Sequence, residues 1–128
     1  MTVKWESSLN TGCESVDLQH QYFMDLINRI EKDYKASNDD AYSQKLIEEL
    51  KKYAEFHFAS EENIATSMKL PGIAGHHQRH QELLGEFKSY AEELSQRLIS
   101  IDQFLQFLTD WFTGHTYYED QKLFGMIK

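Results

Sequence analysis

The sequence predicts an all-α fold, an up-down-up-down four-helix bundle with an N-terminal arm. Apolar residues recur at steps of three and four along four separate stretches, which is the pattern of amphipathic helices. A single proline and six glycines leave those stretches almost unbroken. Short polar segments join them, so consecutive helices are expected to pack nearly antiparallel.

The first helix is predicted over roughly residues 16–36. Its apolar stripe contains His20, Phe23, Ile27, Ile30 and Tyr34. A polar cluster over residues 37–40 ends this helix and offers an N-cap for the next one. Residues 1–15 precede the helix, and we expect them to form an arm that packs against the bundle through Trp5.

The second helix is predicted over roughly residues 40–65, and the break at Pro71-Gly72 separates it from the third. The stripe of the second helix contains Leu46, Leu50, Tyr53, His57, Glu61 and Ile64. The third stripe contains His76, His80, Leu83, Phe87, Tyr90 or Ala91, Leu94 and Leu98.

The fourth helix is predicted to begin after Ser100, a suitable N-cap residue, with Asp102 supporting its first turn. Its stripe contains Ile101, Phe104, Leu108, Trp111 and His115. The 128 residues are expected to form one domain, with residues 1–15 as the arm and residues 16–128 as the bundle.

Charge and composition exclude several classes of partner. The net charge of −8 argues against binding to nucleic acid or to an anionic membrane, because both need a basic surface. No apolar run reaches the roughly 18 residues of a membrane span. The polar N-terminus does not resemble a secretory signal, and the single cysteine, Cys13, excludes an internal disulfide. We therefore expect a cytoplasmic protein.

Metal-ligating side chains lie on the predicted inward stripes of all four helices. They are His20, His57, Glu61, His76, His80, His115 and Asp120. Left unpaired in a core, such groups would cost several kcal/mol, whereas bound cations would compensate them. A closed zinc site takes four ligands, so this set suits two ions rather than one. Two octahedral ions have about twelve coordination positions. Five histidines, two bridging carboxylates and one bridging oxygen fill about eleven of them, so about one position stays vacant.

The spacing of these residues supports the same interpretation. Two pairs are four residues apart and share a helix face, namely His57 with Glu61 and His76 with His80. Taken alone, each pair is also typical of an ordinary hydrogen-bonded contact. His115 and Asp120 are five apart, which predicts a π-type turn eased by Gly114. The remaining histidine, His77, is predicted to face solvent or to contact a ligand from outside.

Several motifs resemble the hemerythrin family, and specifically its single-domain bacterial members. The matching features are Trp5, Gly12, the run Val16-Asp17-Leu18-Gln19-His20, H-F-x-x-E-E from His57 to Glu62, P-x4-H-x3-H from Pro71 to His80, and W-x-x-x-H-x4-D from Trp111 to Asp120. The resemblance covers almost the whole chain.

The resemblance implies reversible dioxygen binding, for oxygen storage, delivery or sensing, at two iron ions joined by an oxo or hydroxo bridge. It implies that one iron is held by His76, His80 and His115. His20 and His57 would hold the other iron, which keeps the open position, and Glu61 and Asp120 would bridge the pair. The choice of iron over manganese or zinc rests on the resemblance alone.

Four aromatic residues are predicted to form an apolar wall around the oxygen pocket. They are Phe23, Phe58, Trp111 and Phe112, for which ordinary core packing is the alternative. The chain departs from the family at Phe112, where leucine is common. It departs again at Thr116, Tyr117 and Tyr118, which follow His115 where the family commonly has isoleucine after the histidine.

Two other functions remain open. A diiron oxidoreductase acting on nitric oxide or peroxide would be favoured if Tyr117 or Tyr118 reached the metals, but we predict that both pack in the fold. An iron store or a signalling module with a separate protein partner is the third candidate. The absence of an evident acid, base or substrate-binding residue favours an oxygen-binding protein over an enzyme.

Overall fold

A computed structural model of the protein describes residues 5–125, except for the side chain of Tyr117. Its helices are α1 (Glu14–Ala36), α2 (Asp40–Ser67), α3 (Ile73–Ser95), α4 (Ile101–Gly114), a π-helical segment (His115–Asp120) and α5 (Gln121–Phe124), preceded by a short 3-10 turn (Ser7–Leu9). The π-helical segment joins α4 and α5 into a continuous fourth rod. Within the described range there is no strand, and the predicted four-helix bundle is confirmed.

The four rods enclose one main hydrophobic core. Helix α1 packs on α2, α2 on α3, and α3 on α4, and contacts between α1 and α4 close the bundle. Side chains such as Ile30, Leu50, Phe87 and Phe104 are wholly buried between them. Burying apolar surface of this kind is the main source of stability in a helical bundle.

Two of the predicted N-caps are present. The Asp39 carboxylate accepts hydrogen bonds from the backbone N–H groups of Ala41, at 2.9 Å, and Tyr42, at 3.3 Å. Ser100 forms a capping box with Gln103, in which each side chain accepts from the other residue's backbone N–H. These bonds satisfy N–H groups that have no partner within the helix, so they fix where α2 and α4 begin.

Helix α3 ends earlier than its apolar stripe suggested. Arg97 adopts a left-handed conformation with φ of 62°, and the N–H of Leu98 donates to the carbonyl of Glu93 at 2.9 Å. This is the hydrogen-bond pattern of a Schellman motif, which terminates a helix. Leu98 is 68% exposed, so its prediction as an inward residue of the third helix is wrong.

Helix α2 ends in the same way. Lys69 is left-handed, with φ of 54°, and the N–H of Leu70 donates to the carbonyl of Ala65 at 3.1 Å. Leu70 and Ala65 are both buried in a second apolar cluster, which also contains Val16, Leu123 and Phe124. The cluster therefore joins the beginning of α1, the end of α2 and α5.

The N-terminal arm contacts the bundle through Trp5, as predicted. The Trp5 ring packs against the main core, 5.9 Å between centroids from the ring of His20, and its indole N–H donates to the Asn10 side chain. Residues 1–4 of the predicted arm lie outside the described part of the chain. No helix within residues 5–125 has the length and apolarity needed to cross a membrane.

The predicted π-type turn is present between His115 and Asp120. The expected reason for it is wrong, however. Gly114 has φ of −63° and ψ of −48°, ordinary helical values that any residue adopts. A Cβ atom built on Gly114 would meet nothing within 4 Å. The wider helical turn therefore does not depend on the flexibility of this glycine.

Candidate metal centre

All seven predicted ligand residues lie together in one buried cluster. His20, His80, Glu61 and Asp120 have no exposed surface, and none of the seven is more than 8% exposed. The cluster lies between the main core and the second apolar cluster. Along α1, for instance, His20 follows Val16 of the second cluster and precedes Phe23 of the main core.

The ligand atoms fall into two overlapping groups, in each of which all of them lie within 4.8 Å of one another. One group consists of Glu61, His76, His80, His115 and Asp120, and the other of His20, His57, Glu61 and Asp120. Both carboxylates belong to both groups. The geometry thus offers two adjacent cation sites that share their two acidic residues.

The two carboxylate oxygens of Glu61 face different histidines. Oε1 lies 2.6 Å from Nε2 of His76 and 3.1 Å from Nε2 of His80. Oε2 lies 3.2 Å from Nε2 of His57 and 3.5 Å from Nε2 of His20. A carboxylate that presents one oxygen to each of two histidine groups has the arrangement required of a bridging ligand.

Asp120 repeats this division from the other side. Its Oδ1 lies 2.8 Å from Nε2 of His115 and 2.9 Å from Nε2 of His76, while its Oδ2 lies 3.0 Å from Nε2 of His20. The π-helical segment makes this possible, because in a regular α-helix residues five apart point about 140° away from each other. The distortion turns His115 and Asp120 toward the same centre.

Three outer side chains orient the histidines. Gln19 lies 2.8 Å from Nδ1 of His57, Glu62 lies 2.9 Å from Nδ1 of His80, and Glu119 lies 3.0 Å from Nδ1 of His115. An Nδ1–H that donates outward leaves the Nε2 lone pair directed at the centre, which is the state that binds a metal. Sequence reasoning missed these three residues, although each directly precedes or follows a predicted ligand.

The inward atoms need a cation. Nε2 of His80 lies 3.1 Å from Nε2 of His115, and the other nitrogen of each ring already contacts a carboxylate. Two lone pairs at that distance repel unless a proton or metal ion lies between them. Within the described chain, several buried atoms of the cluster make no hydrogen bond of acceptable geometry, although most of them lie within 3.5 Å of an opposing group: both nitrogens of His20, Nε2 of His57, Oε2 of Glu61 and both oxygens of Asp120. Such atoms are rare in protein interiors, and this set of nitrogen and oxygen ligands suits several transition-metal ions, iron among them.

The pKa values show how strongly the cluster attracts positive charge. Burial opposes protonation of His20 and His76, but contacts with Asp120 and Glu61 raise the pKa of each to about 9. The pKa of His115 rises to about 10 despite its burial, mainly through Asp120. Burial instead lowers the pKa of His57. Without metal, protons on the first three histidines compensate the buried carboxylates.

Two residues near the centre face outward. The His77 side chain is 58% exposed, and its Nδ1 contacts the Glu62 carboxylate, in line with its prediction as a solvent-facing or outer residue. Tyr118 is 72% exposed, so its prediction as a packing residue is wrong. The corresponding prediction for Tyr117 concerns a side chain outside the described part of the structure.

A small cavity is lined by one histidine from each group, His57 and His115. It has a volume of about 10 Å³, room for the centre of roughly one water-sized molecule. Its lining contains all four predicted pocket residues, Phe23, Phe58, Trp111 and Phe112, together with Ala54, His57, His115 and Thr116. Thr116 is a polar lining residue to which the sequence interpretation gave no role.

Comparison with known proteins agrees with this geometry. The profile of the Hemerythrin HHE cation binding domain matches residues 11–127. The chain belongs to the hemerythrin family. A buried cluster of histidines and carboxylates, in a family defined by cation binding, identifies this region as a metal-binding site.

Relatives in the hemerythrin family match the chain over most of its length. The bacteriohemerythrin of Clostridium acetobutylicum is 25% identical over 92% of this chain and 95% of its own. The bacteriohemerythrin of Stenotrophomonas maltophilia is 24% identical over 97% of this chain and 80% of its own. That of Pseudomonas aeruginosa is 26% identical over 91% of this chain and 75% of its own. A crystal structure of wild-type hemerythrin shares the fold, with a TM-score of 0.80 and 21% identity over 95% of both chains.

Proposed function

We propose that this chain, as a single domain, binds dioxygen reversibly at two iron ions, for oxygen storage, delivery or sensing. The observation that carries the proposal is the pair of overlapping ligand groups that share Glu61 and Asp120. In this proposal one iron is bound by His76, His80 and His115, and the other by His20 and His57. Both carboxylates, together with an oxo or hydroxo group, would bridge the two ions.

The unequal ligand groups direct the oxygen to one iron. One group has three histidines besides the shared carboxylates, whereas the other has only His20 and His57. The iron with fewer protein ligands would keep a position for an incoming molecule, and the small cavity gives access to His57 of that group as well as to His115. When bound, the iron pair supplies two electrons to dioxygen and recovers them on release.

The lining of the cavity favours binding over turnover. Its walls are the apolar faces of Phe23, Phe58, Trp111 and Phe112, which exclude water from the site. Among the described residues that line it, only His57 and His115 carry a titratable group, and both are proposed ligands. A site with no free acid or base is poorly equipped to deliver protons to a reacting molecule.

A cycle of oxygenation and deoxygenation tests the proposal. Iron-loaded protein is reduced anaerobically, exposed to oxygen and flushed with argon while its visible absorption is recorded. We expect two irons per chain and an absorption band that appears with oxygen and disappears without it over repeated cycles. The His57→Ala variant should lose the band. An irreversible change in the wild-type protein would contradict the proposal.

The second candidate is a diiron oxidoreductase acting on nitric oxide or peroxide. The observation that favours it is the buried hydroxyl of Thr116 in the cavity lining, because a hydrogen-bond donor there could assist chemistry on a bound molecule. Sustained consumption of nitric oxide or peroxide by the reduced protein, with many turnovers per iron pair, would favour this function over oxygen binding.

A further inference from the structure

Within the described part of the chain, the hydroxyl of Thr116 is a buried polar group without a hydrogen-bond partner. The residue has no exposed surface, and its Oγ1 makes no hydrogen bond within the described chain. It lines the small cavity together with His57 and the aromatic wall. An unpaired hydroxyl in an apolar environment destabilises a fold, so its presence there requires an explanation.

The backbone of the fourth rod explains why this hydroxyl is unpaired. Earlier on the same rod, Thr109 donates to the carbonyl of Leu105 and Thr113 donates to the carbonyl of Thr109, each at 2.8 Å. This bond to the carbonyl four residues back is the usual one for a helical threonine. Thr116 lies in the π-helical segment, where the register widens to five residues, and it makes no such bond.

We propose that the Thr116 hydroxyl donates a hydrogen bond to a small ligand bound beside His57, and that it makes the pocket selective for ligands that accept one, above all small anions. The inference rests on the proposed function, because it assumes an iron pair with an open position on the His57 side. It adds a specificity-determining residue that the aromatic wall does not provide.

The surroundings define the class of ligand. The cavity is small, at about 10 Å³, so it has room for only one end of a two- or three-atom ligand. Phe23, Phe58, Trp111 and Phe112 offer no strong donor to that end: three are phenylalanines, and the indole N–H of Trp111 donates to the carbonyl of Leu83 at 3.0 Å. A hydrogen bond to a negatively charged acceptor is stronger than one to a neutral acceptor, so an anion gains most from Thr116.

Azide is the probe for the test, added to the oxidised, iron-loaded protein and followed by visible absorption. We expect Thr116→Val to weaken azide binding about tenfold or more, as loss of a hydrogen bond to a charged group predicts. Thr116→Ser, which keeps the hydroxyl, should stay within about threefold of wild type. The matched control is Thr113→Val, whose hydroxyl bonds the backbone, and it should leave azide affinity unchanged.

Thermal unfolding of the metal-free protein gives a second measurement that needs no iron. Replacing an unpaired buried hydroxyl by a methyl group should raise the unfolding midpoint of Thr116→Val by about 3 °C. A lower midpoint would mean that the hydroxyl has a structural partner, which overturns the proposal. If Thr116→Val does not fold, Thr116→Ala takes its place in the azide titration.

The results separate this inference from the proposed function. A wild-type protein that does not hold two irons, or does not bind oxygen reversibly, contradicts the proposed function and with it the role of Thr116. A wild-type protein that binds oxygen reversibly, with equal azide affinity for wild type and Thr116→Val at full iron content, contradicts the role of Thr116 alone.

Discussion

His76 and His77 are neighbours in the sequence, yet they occupy opposite environments. The His76 side chain is 7% exposed and lies 2.6 Å from Glu61 and 2.9 Å from Asp120. The His77 side chain is 58% exposed and contacts Glu62 on the outside of the cluster. The helix turns by about 100° per residue, so one position is enough to separate a proposed ligand from a surface residue.

This contrast gives a matched test of the ligand assignment. We expect His76→Ala to lose iron, because it removes a nitrogen from the group that is richer in histidine, while His77→Ala keeps two irons per chain. Iron content after desalting, measured by elemental analysis, distinguishes them. Equal iron content in the two variants would contradict the assignment.

The sequence was sufficient to select the inner residues and insufficient for the outer ones. Six of the seven inner residues occupy an apolar stripe, where an ionisable side chain is anomalous and therefore noticeable, and Asp120 was found from its spacing to His115 and from the family motif. Glu62 and Glu119 look like ordinary surface acids in a chain with 21 acidic residues. Their roles depend on contacts with imidazoles that helical spacing alone does not establish: Glu62 reaches from α2 to His80 on α3.

At the scale of the helices, the left-handed residues Lys69 and Arg97 determine where α2 and α3 end. Sequence reasoning identifies such ends from glycine, which adopts this conformation without steric cost. Here the left-handed residues are a lysine and an arginine, so the sequence contains no glycine to mark the end of the helix. For this reason the predicted stripe of the third helix extends too far, to Leu98. The start of α2 at residue 40 was predictable, because Asp39 has the side chain that an N-cap requires.

The end of α2 provides a stability test. We expect Lys69→Gly to stabilise the protein by about 0.5 kcal/mol, since relief of the left-handed penalty outweighs the added freedom of the unfolded chain. Lys52→Gly removes the same charge from the middle of α2 and should destabilise the protein by about 1 kcal/mol. Urea unfolding of both variants checks the prediction, which fails if the two changes have the same sign.

The π-helical segment was predicted for a sound reason and a wrong one. The five-residue spacing of His115 and Asp120 requires a wider turn if both side chains are to face one centre. The prediction that Gly114 eases this turn is wrong, because its backbone angles are those of an ordinary α-helix. The altered register extends over six residues, from His115 to Asp120, so no single residue has to absorb it.

For the whole molecule, the centre should couple metal binding to stability and to pH. In the metal-free protein, the raised pKa values of His20, His76 and His115, at about 9 to 10, mean that protonation favours the folded state. Their contribution is complete below about pH 6.5 and is lost as pH rises through 9 to 10. The lowered pKa of His57 acts in the opposite direction, but it is a single group.

We therefore expect the metal-free protein to unfold at a temperature about 5 °C or more lower at pH 10 than at pH 6.5. The iron-loaded protein should be more stable throughout and change less over this range, because its histidines bind metal instead of protons. Circular dichroism during heating, with and without iron, measures both effects. Identical unfolding curves for the two forms would contradict the placement of the metal in the core.

His20 and Asp120 approach to 3.0 Å although a hundred positions separate them in the chain. An ion that binds both residues would connect the first helix of the bundle to the last. While such an ion is bound, neither α1 nor the fourth rod would separate from the bundle and expose its peptide bonds to a protease. We therefore expect the rate of proteolysis of this protein to depend on how long it retains its metal.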